Sequence, residues 1–184
     1  EVYLDSTKGT DFYRPMFEIS NNAISVNSLT KTYGLGPLRF GWLIGPQLMI
    51  QNARNAFQNM QGRASAPSMS IARSIFPRLD DALEAMWETR NKNLPKLIKL
   101  IKSHGIEWNP PPFGIFGSFS IGVDAVQAMA EYGKPLGLLA TPGGMFHADL
   151  ANHLRICWGA EPEEFENALP VLSKFLTSIQ EVNH

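Results

Sequence analysis

The sequence predicts an α/β fold, and three features of its 184 residues support that prediction. Short segments rich in β-branched and aromatic residues alternate with longer segments of helical periodicity. The longest periodic segment is 80–104, where apolar residues recur at mixed spacings of three and four. Hydrophobic residues make up 44% of the chain and charged residues 18%, a balance typical of a globular protein rather than a disordered one.

The first part of the chain carries two predicted strands and one predicted helix. The strands are expected at 23–26 and 40–44, and Gly45 and Pro46 close the second one. A helical pattern of apolar residues then runs from Pro46 to about residue 60. The stretch 62–70 is small and polar, and we expect it to be a loop.

The long helix 80–104 is expected to connect two domains. Pro95 should bend or interrupt this helix, because proline lacks an N–H and its ring clashes with the preceding turn. Gly105 is well placed to end the helix. We therefore predict one domain over residues 1–96 and a smaller second domain over residues 97–184.

The second domain is predicted to contain three strands and a final helix. The strands are expected at 106–108, 118–121 and 153–157. The last helix begins near Pro162, whose ring suits a first helical turn. Acidic residues follow it at once, where they favour the positive end of the helix dipole.

The charge of the chain gives no reason to expect nucleic acid or a membrane as a partner, since 16 basic and 17 acidic residues leave a net charge of −1. No apolar run reaches the length of a membrane span, and the first residues do not resemble a secretory signal. Cys157 is the only cysteine, so no internal disulfide can form, and we expect its side chain to be buried. These features favour a cytoplasmic protein.

The most informative segment is the glycine-containing turn between the two strands of the first domain. Ser28 and Lys31 enter this turn, and Arg39 follows eight residues after the lysine. A hydroxyl, an ammonium and a guanidinium would meet in one place, where glycines let the backbone approach a ligand closely. Arginine offers a planar fork of donors that suits phosphate.

This spacing of serine, lysine, glycine and arginine resembles the cofactor motif of the class I/II aminotransferases, which are fold-type-I pyridoxal phosphate (PLP) enzymes. The resemblance implies that Lys31 is the catalytic residue and forms the Schiff base with the PLP aldehyde. It also implies that Ser28 and Arg39 hold the PLP phosphate. The implied fold is the C-terminal half of a large domain with a mostly parallel sheet, followed by a small α/β C-terminal domain.

Two further segments extend the resemblance over essentially the whole chain. The opening Glu1-Val2-Tyr3 resembles the end of a family strand whose tyrosine hydrogen-bonds the PLP ring hydroxyl, so Tyr3 is its counterpart. The segment 153–157 resembles the strand whose arginine binds the substrate α-carboxylate, so Arg155 is the implied substrate-binding residue.

The resemblance implies transfer of an amino group between an amino acid and a 2-oxo acid, in a homodimer with active sites at the subunit interface. The aspartate at the pyridine nitrogen and the aromatic residue stacked on PLP would lie before Glu1, so we expect these 184 residues to be an inactive fragment. Two alternatives stay open: another PLP reaction, either β-elimination or decarboxylation, and a fragment that binds no PLP.

Other motifs indicate less. Ser-x-x-Lys also matches the serine-nucleophile motif of penicillin-binding enzymes, but the companion motifs Ser-Asp-Asn and Lys-Thr-Gly do not occur in the sequence. His147, Asp149 and His153 match the spacing of no common metal site, so no metal is predicted. Arg63 is interpreted as a surface charge.

Overall fold

The computed structural model describes residues 2–11 and 13–181, which fold as two compact units. The first unit extends to Met86 and the second begins at Trp87. Both residues lie in the helix Leu79–Ser103, which the sequence predicts as a connector. The boundary between the units therefore lies inside this helix, between Met86 and Trp87, whereas the sequence predicts it after residue 96.

The first unit contains two strands that pair with each other. Its elements are helix α1 (Met16–Ile19), strands β1 (Ser25–Ser28) and β2 (Gly41–Ile44), and helices α2 (Gln47–Gln61) and α3 (Ala66–Ile75). The strands run antiparallel, with Ser25 opposite Ile44 and Ser28 opposite Gly41. Both predicted strands are therefore present, and they lie in one sheet.

A mostly parallel sheet is not what this chain forms in its described part, where the strands of the first unit make one antiparallel pair. A parallel pair needs a long crossover connection, usually a helix. Here the loop 29–40 returns the chain directly beside β1, and the N–H of Leu29 donates to the carbonyl of Phe40 at 3.0 Å. That bond extends the ladder past the strands and closes a hairpin.

The predicted loop 62–70 is wrong in its second half, because helix α3 begins there. Ser65 caps the helix, and its Oγ accepts a hydrogen bond from the N–H of Ser68 at 3.4 Å. Pro67 occupies the first turn, where its missing N–H costs nothing. The small, polar composition of this stretch suggests a loop. The capping Ser65 and the proline in the first turn, however, favour a helix start.

The opening of the chain is not a strand. Val2 and Tyr3 lie in a turn, and Tyr3 directly precedes the 3-10 helix Leu4–Thr7. Glu1, the first residue of the predicted strand end, lies outside the described residues. The resemblance of this segment to a family strand is therefore one of sequence and not of backbone conformation.

Helix α4 (Leu79–Ser103) runs through Pro95 without the interruption that the sequence predicts as one of two outcomes. Pro95 lies on the exposed face, where water can solvate the carbonyl of Asn91 that proline leaves without its N–H partner. The opposite face is buried, and the helix ends before Gly105, whose φ of 71° confirms the predicted stop. Neither α4 nor any other helix in the described part of the chain is long and apolar enough to span a membrane.

The second unit contains a three-stranded antiparallel sheet. Its strands are β3 (Phe116–Ser120), β4 (Thr141–Pro142) and β5 (His153–Cys157), in the order β3-β5-β4, and its further helices are α5 (Ala125–Ala128) and α6 (Pro162–Glu181). The predicted strand 153–157 and the helix start at Pro162 are confirmed. The predicted strand 106–108 is wrong: this segment is irregular, and the Trp108 indole N–H donates to the Ser118 carbonyl at 2.9 Å.

The second unit also holds the larger apolar core. Most of the fully buried side chains there come from α4, β3, β5 and α6, and they include Leu97, Ile101, Phe119, Leu154, Phe175 and Leu176. Each such side chain stabilises the fold by about 1.5–3 kcal/mol relative to its exposed state. Among the described residues of the first unit, the buried apolar cluster consists of Leu29, Tyr33 and Ala72, with partly buried residues around them.

Candidate active site

The loop 29–40 presents Lys31 between the two strands of the first unit. Two hydrogen bonds fold the loop back on itself: Leu29 N–H to the Phe40 carbonyl at 3.0 Å, and Leu35 N–H to the Leu29 carbonyl at 2.9 Å. The carbonyl of Lys31 accepts from Gly34 N–H at 3.1 Å, and Lys31 is half-buried. The lysine backbone is therefore held on both sides by the hairpin.

Ser28 is the last residue of β1 and pairs with Gly41. Its N–H donates to Asn27 Oδ1 at 2.7 Å, and its Oγ accepts a long hydrogen bond of 3.4 Å from Thr30 N–H. Among the hydrogen bonds of the described residues, the Ser28 hydroxyl acts only as an acceptor. Its proton can be donated to an anion beside the hairpin.

Arg39 closes the loop in an unusual backbone conformation. Its φ of 49° and ψ of 42° lie in the left-handed region, which costs a non-glycine residue about 1 kcal/mol. The side chain is exposed, and Nη1 makes a long contact of 3.4 Å with the carbonyl of Gly36. This leaves most of the guanidinium donors directed to solvent and able to bind a phosphate.

Tyr3 is brought next to the lysine loop by a contact of its neighbour. The Thr32 hydroxyl donates to the Val2 carbonyl at 2.7 Å, and Thr32 is only 3% exposed. Tyr3 follows Val2, and Lys31 precedes Thr32, so the two backbones run close together at this point. The structure thus brings the segments of Tyr3, Ser28, Lys31 and Arg39 to one end of the hairpin.

A buried polar network behind this loop is not apparent from the sequence. The Asp5 carboxylate accepts hydrogen bonds from Asn27 Nδ2 at 3.1 Å and from the Tyr33 hydroxyl. Burial first, and then the hydrogen bond to Asp5, raise the pKa of Tyr33 above its ordinary value. No sequence pattern links these residues, because their contact exists only once the opening segment packs beside β1.

This network borders a cavity of about 310 Å³ in the first unit. Polar side chains on its wall include Asp5, Lys8, Asn27, Tyr33 and Asp80. Lys8 and Asp80 form an exposed ion pair of 3.1 Å at its rim. Asn27 and Ser28 are consecutive in a strand, so their side chains leave β1 on opposite faces. The cavity therefore lies on the face of β1 away from Ser28.

Arg155 lies in the second unit, in the middle of β5. This strand is the central one of its sheet, and Arg155 is opposite Ser118 on one side and Thr141 on the other. The guanidinium carbon is 4.3 Å from the centroid of the Phe116 ring and 5.3 Å from that of Phe146. Two aromatic rings thus hold the cation by cation–π contacts.

A cavity of about 250 Å³ opens beside this arginine. Its wall is largely apolar and includes Phe116, Gly143, Phe146, Leu150 and Arg155. No carboxylate in the described part of the chain forms an ion pair with Arg155. The fork of donors is free to bind an external carboxylate, and the apolar wall would strengthen that charge pairing.

The remaining candidate side chains in the second unit are Cys157 and the histidines His147 and His153. Cys157 is exposed, so the prediction of a buried side chain is wrong; it ends β5, on the strand face opposite to the buried Ile156. His147 Nδ1 lies 3.4 Å from Asp149 Oδ2, and His153 Nδ1 lies 2.8 Å from Asn152 Oδ1. Across residues 2–11 and 13–181, no group of three potential ligands could hold a metal ion.

The residues at the hairpin fit a ligand that carries an aldehyde and a phosphate. An amine can condense with an aldehyde, and a hydroxyl and a guanidinium can donate to phosphate oxygens. Glycine at position 34, with a φ of 69°, lets the loop turn tightly between them. This donor set is the one that PLP would require.

Comparison with known proteins identifies the family of this chain. The family model for aminotransferase class I and II matches residues 1–172. A probable N-acetyl-LL-diaminopimelate aminotransferase of Bacillus subtilis is 23% identical over 185 residues, which cover 98% of this chain and 47% of that protein. An aspartate aminotransferase of Streptomyces avermitilis is 26% identical over 102 residues, 55% of this chain and 25% of that protein. The chain spans at most about half the length of these relatives.

Solved structures show the same fold. A PLP-dependent aminotransferase of Streptococcus suis superposes with a TM-score of 0.82 at 25% identity, over 97% of this chain and 47% of that one. An α-aminoadipate aminotransferase of Thermus thermophilus, solved with N-(5'-phosphopyridoxyl)-L-leucine, gives 0.74 at 19% identity, over 91% and 46%. The family and these structures imply a pyridoxal phosphate cofactor. The chain belongs to the class I and II aminotransferase family.

Proposed function

We propose that the chain is part of a PLP-dependent aminotransferase that moves an amino group between an amino acid and a 2-oxo acid. The observation that carries this proposal is the hairpin loop, which holds Lys31 between a serine and an arginine that can donate to phosphate. The family match over residues 1–172 supports the same activity. PLP, when bound, supplies the stabilisation of negative charge at the substrate Cα.

The three residues of the hairpin, and Tyr3 of the opening segment, each have a separate task in this proposal. The Lys31 amine would hold the cofactor at its aldehyde, and as a free amine it would move a proton at the substrate Cα as a general base. Ser28 and Arg39 would hold the phosphate and thereby the position of the ring. Tyr3 would donate to the ring hydroxyl. Hydrogen bonds anchor the loop on both sides of Lys31, and this supports the role given to the lysine, because its amine must reach one atom reproducibly.

Arg155 binds the substrate α-carboxylate in this proposal. The support is its free fork of donors, held between two rings and bordered by a largely apolar cavity. A bidentate contact fixes two carboxylate oxygens at once and so orients the Cα–H bond for proton transfer. The identity of the amino-acid side chain is not encoded in these contacts.

We further propose that residues outside this chain complete the site, and that the chain alone does not turn over. Its coverage of at most about half of the curated relatives supports this. A homodimer is part of the same proposal. Its support is helix α2, which has no buried residue and exposes Leu48, Met49, Phe57 and Met60. A cytoplasmic location fits the single exposed cysteine.

The reaction type is tested by product analysis of the full-length protein. With an amino acid, a 2-oxo acid and PLP, we expect a new amino acid and a new 2-oxo acid in equal amounts. β-Elimination would release ammonia, and decarboxylation would release carbon dioxide. Stoichiometric release of either one, without a new amino acid, would contradict the proposal. A cofactor-free protein that shows no visible absorbance band after addition of PLP would support the non-catalytic alternative.

A further inference from the structure

The Asp5 carboxylate bridges two residues that flank Lys31 in sequence. One oxygen, Oδ2, accepts from Asn27 Nδ2 at 3.1 Å and from the Tyr33 hydroxyl. Asn27 comes before the lysine on β1, and Tyr33 comes after it in the loop. Both side chains are largely buried, at 9% and 6% exposure. The carboxylate thus holds Asn27, before the lysine, and Tyr33, after it, at one point.

A second contact connects the same two segments. The buried Thr32 hydroxyl donates to the Val2 carbonyl at 2.7 Å, so residues 2 and 5 hold residues 32 and 33. The segment between these anchor points contains Tyr3. The opening segment and the lysine loop are therefore joined by two hydrogen bonds, and these set where Tyr3 lies relative to Lys31.

The bridge acts from behind the hairpin. Asn27 points to the face of β1 opposite to Ser28, and Tyr33 packs in the apolar cluster with Leu29, its ring 6.3 Å from that of Trp42. Asp5 therefore supports the loop from its core side and has no need to touch a ligand on the Ser28 side. Hydrogen bonds to a charged acceptor are roughly twice as strong as neutral ones, which suits such a support.

The Tyr33 hydroxyl remains a donor throughout the neutral range. Burial, and then the hydrogen bond to Asp5, raise the pKa of Tyr33 above its ordinary value, so the phenol keeps its proton. The Tyr33 hydroxyl can therefore donate to Asp5 throughout the neutral range.

We propose that Asp5 is a positioning residue that fixes Lys31, through Asn27 and Tyr33, for attachment to the cofactor aldehyde. This inference rests on the proposed function of Lys31. A lysine side chain has four rotatable bonds, so its amine reaches one atom reproducibly only if its backbone is fixed. Loss of the bridge should slow attachment and change the surroundings of the attached amine, while the residues that touch the cofactor stay intact.

The test uses the full-length protein, freed of cofactor and then mixed with PLP. Tyr33→Phe removes only the hydroxyl and keeps the ring in the core, Asp5→Ala removes the bridge, and Asp5→Asn keeps a neutral acceptor. Lys8→Ala is the matched control. Lys8 lies in the same opening segment as Asp5, and its substitution breaks an exposed ion pair with Asp80. The readouts are the rate constant of absorbance growth and the pH midpoint of the visible band.

We expect Tyr33→Phe and Asp5→Ala to slow attachment on the order of tenfold, as for loss of a hydrogen bond to a charged group. Their pH midpoints should shift, Asp5→Asn should fall between them and the native protein, and Lys8→Ala should match the native protein. A purely structural role would lower the folded fraction, and so the amplitude, without changing the rate constant or the midpoint. That result in Tyr33→Phe would overturn the inference.

The two proposals fail in different ways. If the native protein attaches PLP through a lysine other than Lys31, the proposed function fails. If Lys31 is the attached lysine but Asp5→Ala and Tyr33→Phe keep the native rate constant and midpoint, only the positioning role of Asp5 fails. Tyr33→Phe decides the matter if Asp5→Ala does not fold.

Discussion

Gly34 lies so close to Met86 that a Cβ at position 34 would overlap the methionine Sδ. The φ of Gly34 is 69°, a region that glycine adopts without strain and other residues avoid. The turn after Lys31 is therefore packed against the beginning of the long helix. The backbone conformation at this position favours glycine, and a larger residue would also have to displace the end of the Met86 side chain.

Gly34→Ala should destabilise the protein by about 1–3 kcal/mol, because it adds a strained φ and a steric overlap. Gly122→Ala is the matched control, since Gly122 has a φ of 78° but a Cβ added there would meet no atom within 4 Å. The free energy of unfolding from urea titrations separates the two costs. Equal losses in both variants would mean that the Met86 contact contributes nothing.

Arg155→Lys should raise KM for the amino acid about tenfold or more and lower kcat less. Lysine keeps the charge but loses the planar fork and the stacking between Phe116 and Phe146. Steady-state kinetics of the full-length protein with varied amino acid give both constants. Arg63→Lys, at an exposed position, is the control. An unchanged KM in Arg155→Lys would argue that the substrate carboxylate binds elsewhere.

Stability should fall as the pH rises above about 10, in part because of Tyr33. Burial, and then the hydrogen bond to Asp5, raise the pKa of this group in the folded state, while nearby Tyr13 and Asp80 add to the effect. Above the ordinary tyrosine pKa the unfolded chain loses the proton and the folded chain keeps it. Unfolding therefore becomes more favourable with rising pH.

Tyr33→Phe should lessen this alkaline loss. The measurement is the urea midpoint at a series of pH values from about 8 to 11, around the ordinary tyrosine pKa. Tyr132→Phe is the control, because the Tyr132 hydroxyl bonds only to Glu131 at an exposed position, where solvent screens the charge. If native protein and Tyr33→Phe lose stability in parallel, Tyr33 does not carry the effect.

The strand-loop-strand segment around Lys31 can be predicted from the sequence because its parts are local. Ser28, Lys31 and Arg39 belong to one strand-loop-strand segment, so their spacing already determines that they share one end of it. The terminal helix from Pro162 is similarly encoded by its own periodicity and first turn. The position of Arg155 in a strand is predicted from the sequence, although its two aromatic neighbours come from other segments.

The remaining features depend on contacts between distant segments. Asp5 meets Asn27 and Tyr33 only after folding, and no periodicity connects them. Helix α4 tolerates Pro95 because that face is exposed, which the residue itself does not reveal. The exposure of Cys157 likewise depends on which face of β5 the second unit buries.

Chemical trapping tests whether Lys31 carries the cofactor. The full-length protein is mixed with PLP, reduced with borohydride, digested and analysed by mass spectrometry, with Lys31→Ala treated in parallel. We expect a phosphopyridoxyl group on the peptide that contains Lys31, and neither label nor turnover in Lys31→Ala. A label on another lysine that persists in Lys31→Ala, together with native turnover, would contradict it.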